Sequence, residues 1–398
     1  MERFSNVNPW WYSERWKDRH LAEWESQKVR WRPSWIDEVS LEPFSLNFVY
    51  GPRQTGKTTG LKILIKELIE RGRDPQSIFY LDLDYVASFR EFREILEDYV
   101  REKRKRGLNG AVLILDEVTS VRDWWKIVKF YVDQGELLKD VVIVSGSSSL
   151  GVVKAVERFP GRTGKGKEVL VLPLSFPEYV RVKNHEPGEA LGDPHLIFAL
   201  FEEYKARGGF PKSINGHPDA EEAVVKGLAS EVYKAGKSLR HVQDVLGSVM
   251  DKIPSPFSYN AIASDVGVSH LTVQEYLEFL EDVFVLKLAF LKAGNVVQTR
   301  REKKAFFRDP FLYRALASWL NREVNEDALL EHVVQEHLYR AFGEVYYFKN
   351  DHEIDAIAGG LKVEVKKRRP HRAYHKGVEV LSEEEVPGFL LRLWTGKA

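Results

Sequence analysis

GPRQTGKTT, residues Gly51 to Thr59, follows the apolar run LNFVY (46–50) and opens into TTGLKILIKELIERG (58–72). It fits G-x-x-x-x-G-K-[ST] without a gap. In that pattern a glycine-rich turn and a helix N-terminus aim backbone N–H groups at phosphate. The lysine reaches the β- and γ-phosphates, and the hydroxyl ligates Mg²⁺. The pattern has meaning only between a strand and a helix. LNFVY supplies the strand, and Leu61, Leu64, Ile65 and Leu68 recur at helical spacing beyond it. The expected nucleotide ligands are Gly51, Pro52, Arg53, Gln54, Thr55, Gly56, Lys57, Thr58 and Thr59. ATP and Mg²⁺ are the expected cofactors, with Thr58 on the metal and Lys57 serving catalysis as well as binding.

A chain of 398 residues is long for one core, so two or three domains are expected. With 43% hydrophobic and 30% charged residues the composition is that of a globular protein. The longest apolar runs fall short of a membrane span, and MERFSNVNPWWYSERW does not read as a signal peptide, so a cytoplasmic protein is expected. The absence of Cys excludes disulfides and thiolate metal sites, leaving carboxylates, His or phosphate as metal ligands. Two Met among abundant Lys, Arg and Glu lean toward a thermophilic style. A net charge of zero argues against a chain that coats nucleic acid with its whole surface. REKRKR (101–106) reads as a solvated face.

Beyond the glycine-rich turn, apolar strands alternate with amphipathic helices. SIFYLDLD (77–84), AVLILDE (111–117), VVIVSGS (141–147) and KEVLVLPL (167–174) are the strands. The alternation implies an α/β fold, a buried parallel sheet with helices on both faces. The expected division is a Trp-rich segment 1–39, a P-loop core 40–180, a helical lid 181–250, a winged helix 251–310 and a C-terminal α/β domain 311–398. Trp10, Trp11, Trp16, Trp24, Trp31 and Trp35 crowd the first segment. Aromatic side chains between Arg and Lys can stack on bases, but the expected role is to pin the segment onto a domain surface.

LILDE (113–117) ends an apolar strand in two carboxylates, roughly sixty residues after the lysine. Asp116 is placed to hold the Mg²⁺ water shell and Glu117 to act as general base. Ser145 or Ser147, at the end of the next strand, could contact the γ-phosphate. In ERFPGRTGKG (157–166), Arg158 or Arg162 could reach a neighbouring copy's nucleotide in a homo-oligomer.

The order GPRQTGKTT, LILDE, SGSSS, PGRTG, LPLSFPEY, GGFP, helix-turn-helix and EID…EVK resembles the AAA+-type ATPases of archaea and bacteria that carry a C-terminal nuclease-like domain. NPWW (8–11) is similar to the archaeal branch. The resemblance implies an ATPase core, a helical lid, a winged helix and a PD-(D/E)XK-like, restriction-endonuclease-like end. GGFP (Gly208–Pro211) stands where a second sensor arginine is expected. It is similar to the Gly-x-Pro element of STAND switches, which implies a nucleotide-gated switch over a processive motor.

The second informative stretch is HEIDAIAGGLKVEVKK (352–367). Alternation places Glu364 and Lys366 on one strand face, and a turn at Gly359-Gly360 brings Asp355 beside them. Asp355 and Glu364 could hold a metal against a scissile phosphate while Lys366 activates water, and Glu331 or Glu336 on the preceding helix could complete the shell. These three match the nuclease signature, with Ile354 in place of its Pro. The basic run that follows favours nucleic acid, DNA by expectation. The helix HLTVQEYLEFLEDVF (270–284) carries Glu275, Glu278, Glu281 and Asp282, leaving only Ser269, His270, Thr272 and Gln274 to face a groove. Two functions follow: an ATPase coupled to a DNA-acting nuclease-like domain, or a nucleotide-dependent switch on a protein partner with that domain inactive.

Overall fold

The computed structural model describes residues 7–147, 152, 157–350, 353–368 and 377–396. Residues 148–151 and 153–156, carrying most of the helix expected after SGSSS, and the basic stretch 369–376 lie outside the described residues. The chain forms two compact units, Met1–Leu172 and Pro173–Ala398. Among the described residues no helix is long and apolar enough to cross a membrane.

In the first unit β1 (Ser45–Tyr50), β2 (Ile78–Asp82), β3 (Val112–Asp116), β4 (Val141–Gly146) and β5 (Glu168–Leu170) form a parallel sheet in the order β2-β3-β4-β1-β5. The central strands are buried along their length, as sheets covered on both faces require. Three long helices cover it: α2 (Lys57–Glu70), α3 (Phe89–Lys105) and α4 (Trp124–Asp133), after a short α1 (Arg19–Glu25). Ser88 caps α3 by accepting the Glu91 N–H, and Phe92, Ile95, Leu96, Tyr99 and Val100 form its buried stripe. REKRKR is not wholly a solvated face, because Lys103 turns inward to pair with the buried Asp140.

The Trp-rich segment belongs to this unit's core. Trp10, Trp11 and Trp35 are buried. Both Trp10 and Trp11 indoles donate to the Ile78 carbonyl, at 3.1 and 2.8 Å. The Asn8 side chain donates to the Tyr80 carbonyl at 3.0 Å and accepts the Tyr80 N–H at 2.7 Å. These side chains satisfy the outer backbone groups of β2, which would otherwise be an open sheet edge.

The second unit opens with helices between Phe176 and Met250. Two further helices, Tyr259–Val266 and His270–Asp282, meet at Gly267 (φ +76°) and lead into the hairpin β6 (Leu286–Ala293) and β7 (Val296–Phe307). The helix Glu326–Phe342 precedes β8 (Tyr346–Lys349), β9 (Glu353–Ala358), β10 (Leu361–Lys366) and β11 (Glu379–Ser382). All six strands share one sheet, ordered β11-β10-β9-β8-β6-β7. β8, β9 and β10 run antiparallel in sequence, and β11 lies parallel to β10.

The five-part division therefore meets a different grouping. The expected boundaries at 39/40, 250/251 and 310/311 do not separate compact units. The first is bridged by buried indoles, and the last by a sheet that joins the hairpin to β8. GGFP has a packing role within the second unit. Gly208 takes φ +57°, and a Cβ on Gly209 would lie 2.1 Å from the Leu174 carbonyl oxygen, so neither position accepts a side chain without movement. The Gly209 N–H donates to Asp309 at 2.7 Å.

Candidate functional site: phosphate loop, acidic strand ends and a carboxylate cluster

The loop 51–56 leaves β1 at its C-terminal end and delivers α2. Gly51 passes so close to Val171 that a Cβ would sit 1.9 Å from its carbonyl oxygen. Gly56 adopts φ +85° as the residue before α2, and Gln54 also lies at positive φ. Lys57 is buried, its ammonium donating to the carbonyls of Gly51 (2.8 Å) and Pro52 (2.7 Å) across the loop. Thr55 closes the turn through a 2.9 Å bond to Pro52. Thr58 and Thr59 follow in the first helical turn with Arg53 in the loop before them, so the nine expected residues lie on one loop and the helix start that follows it.

The acidic side stands two strands away. Asp116 ends β3 with no exposed surface. One of its oxygens accepts from Ser145 on the adjacent β4, and the other accepts from Tyr80 on β2 at 2.8 Å. The two hydroxyl donors fix the orientation of the buried carboxylate. Ser145 thus holds Asp116 in position. Ser145 also accepts the Glu117 N–H at 3.3 Å. Glu117 itself adopts φ +50°, a left-handed conformation rare for a side-chain-bearing residue and common where a group is held for function.

Arg162 does not join this cradle within one chain. It pairs with Asp133 at the C-terminal end of α4, and its neighbour Thr163 accepts the N–H of Leu46 near the start of β1. That is the end of the sheet opposite the P-loop. Arg158 instead lies over the Trp125 ring at 4.5 Å.

Two residues here escaped the sequence reading. In the sequence Tyr80 and Asp82 read only as parts of a strand, and LDLD at the end of an apolar strand is the signal that marks them. Asp82 stands in register with Asp116. Burial, then the neighbouring carboxylates, pushes Asp82 up to about 7. Lys62 lies 3.3 Å from the Tyr80 ring centroid and pairs with Asp18, and burial holds its ammonium below the usual range.

In the second unit Asp355 lies on β9, and Glu364 and Lys366 on β10, with a register that sets Glu364 beside Asp355. The Val365 N–H donates to Asp355 Oδ2 at 2.9 Å, and Gln335 holds the Asp355 carbonyl at 2.9 Å. The carboxylates are split between cations, however. Glu364 pairs with Lys366. Asp355 Oδ1 lies 2.7 Å from Lys304 Nζ on β7, and Lys304 also reaches Glu353 at 2.8 Å and Glu331 at 3.1 Å. Glu331 therefore joins Asp355, raised above the usual carboxylate range by burial first and by Asp355 second. Glu336 does not join, being bound by Arg308 at 2.9 Å and Arg340 at 2.8 Å. Among the described residues no group of three or more His, Asp or Glu stands arranged for a metal. Lys304 was missed; a lysine pair running into AFF (305–307) was the available hint, since charge inside a buried strand needs a partner.

Comparisons with known proteins agree with the first unit. Residues 44–180 match the AAA domain family, and residues 198–323 match a domain of unknown function. An uncharacterised protein of Haemophilus influenzae is 24% identical over 257 residues, 60% of this chain and 61% of that protein. An uncharacterised ATP-binding protein of Pyrococcus horikoshii is 32% identical over 85 residues, 21% of this chain and 25% of that one. The chain thus spans less than two thirds of the length of these relatives. Among solved structures, the Aeropyrum pernix ORC2 protein in its ADPNP–ADP complexes is similar over 78% of this chain and 97% of its own, with a TM-score of 0.45 and 10% identity. That likeness is too distant to carry a statement about activity. The matched AAA domain, residues 44–180, carries the first unit's phosphate loop and acidic strand end.

Proposed function

We propose that the chain binds and hydrolyses Mg²⁺·ATP in its first unit and uses the nucleotide state to switch the grip of its second unit on DNA. The observation that carries the first half is the Asp116 network with Tyr80 and Ser145, at the same C-terminal end of the parallel sheet as the Lys57 cradle. Mg²⁺ fits the donor set, because Thr58 offers a hydroxyl at the helix start and Asp116 a buried carboxylate held by Tyr80, Ser145 and the Glu117 N–H. The metal would supply charge neutralisation between phosphate oxygens. Lys57 would exchange its two loop carbonyls for phosphate oxygens, and Glu117 would orient and deprotonate the attacking water.

Lys57→Ala should abolish ATP binding, measured by titration with a fluorescent ATP analogue. Glu117→Gln should bind ATP normally while hydrolysis falls by about 10²–10⁴. Undiminished turnover in that variant would remove Glu117 from its role.

A second reading, a metal-dependent nuclease, is favoured by one observation. The helix Glu326–Phe342, the meander β8–β9–β10 and a β11 parallel to β10 follow the order expected of a restriction-endonuclease-like domain. We place gripping above cutting, since Asp355 and Glu364 each face a lysine. Exposed Lys367 and Arg368 are the phosphate contacts proposed for that grip.

A further inference from the structure

Lys304 is 2% exposed, and its ammonium has three carboxylate oxygens at 2.7–3.1 Å. Glu353 and Asp355 come from one strand, and Glu331 from the helix packed across it. Oxygens from separate elements converging on one point are what a divalent cation requires, except that Mg²⁺ or Ca²⁺ draws them to about 2.0–2.6 Å. Here the point is taken by a nitrogen that the chain itself supplies. The backbone of Lys304 is paired in β7 opposite Ala289, so the ammonium is delivered by a fixed strand. Withdrawal would leave buried carboxylates uncompensated, a strongly unfavourable state. Glu364, the other proposed metal ligand, is turned to Lys366.

We infer that Lys304 is a resident cation standing where the nuclease-like constellation would hold its metal, so that the second unit is a metal-independent scaffold. The inference concerns Asp355, Glu331 and Glu353 alone and is independent of ATP hydrolysis.

The test uses the full chain without nucleotide and Mn²⁺ followed by electron paramagnetic resonance. Wild type should take up no Mn²⁺ that Asp355→Asn removes, and its melting temperature should not rise with Mn²⁺. Lys304→Ala should melt lower than wild type and gain a Mn²⁺ site that is lost again on adding Asp355→Asn. If Lys304→Ala does not fold, the neutral set Lys304→Met with Asp355→Asn and Glu331→Gln should restore folding, because the remaining Glu353 is partly exposed and keeps Lys349 at 3.8 Å. The inference is overturned by Asp355-dependent Mn²⁺ binding in wild type. It is equally overturned by a Lys304→Met chain as stable as wild type, or by metal-dependent DNA cleavage that Lys366→Ala abolishes.

Discussion

At the residue scale the ATP site depends on how Asp116 is held. A buried carboxylate in a parallel sheet is costly unless donors meet it, and here one hydroxyl comes from each neighbouring strand. Tyr80→Phe removes one donor and leaves the ring. It should lower ATP turnover about tenfold or more, as loss of a group supporting a metal-binding carboxylate typically does, with Lys57-dependent nucleotide binding retained. Unchanged turnover would show that Ser145 alone suffices. Asp82 makes a pH prediction. Held up to about 7 in the folded chain, it keeps its proton while an unfolded Asp, near about 3.9, has lost its own. Stability from this group is therefore fully present below about pH 4, falls as pH rises toward 7, and is level beyond. Asp82→Asn keeps an acceptor for the Asp84 N–H and removes the titration. Its melting advantage over wild type should be absent at pH 4, grow to pH 7 and then stay constant. An offset independent of pH would contradict the assignment.

At the element scale the edge strand β2 is the informative piece. Its outer carbonyl at Ile78 and both outer groups of Tyr80 are met by Trp10, Trp11 and Asn8, so a segment with almost no regular structure replaces a sixth strand. Trp11 also stacks on Phe79 with ring centroids 5.9 Å apart. Trp11→Ala should cost about 3–5 kcal/mol, the range for removing a large buried aromatic, read as a lower urea midpoint. A loss under about 1 kcal/mol would fit a surface residue and would refute the sealing role. The hairpin β6–β7 is the counterpart in the second unit. Its far strand carries Lys304 and runs on to Arg308, and these reach Glu331 and Glu336 of one helix. The segment expected to be an independent wing is thereby tied into the sheet beyond it.

At the scale of the whole molecule, the legible parts were those governed by local rules. A glycine-rich turn between an apolar strand and an amphipathic helix states its own geometry, because positive φ at Gly56 and the close approach at Gly51 admit little else. Alternating apolar strands and amphipathic helices likewise determined a parallel α/β sheet. The hairpin at Gly359-Gly360 determined that Asp355 and Glu364 would face one another. What tertiary structure alone decided is which distant cation meets which carboxylate. Lys304 lies 51 residues from Asp355 in sequence, and no periodicity links them. The same holds for Tyr80 and Asp116, 36 residues apart and joined only by strand order. Burial makes such pairings obligatory, since a charge removed from water must find a partner. Sequence pattern states that a side chain is buried, and only the packed fold supplies the partner.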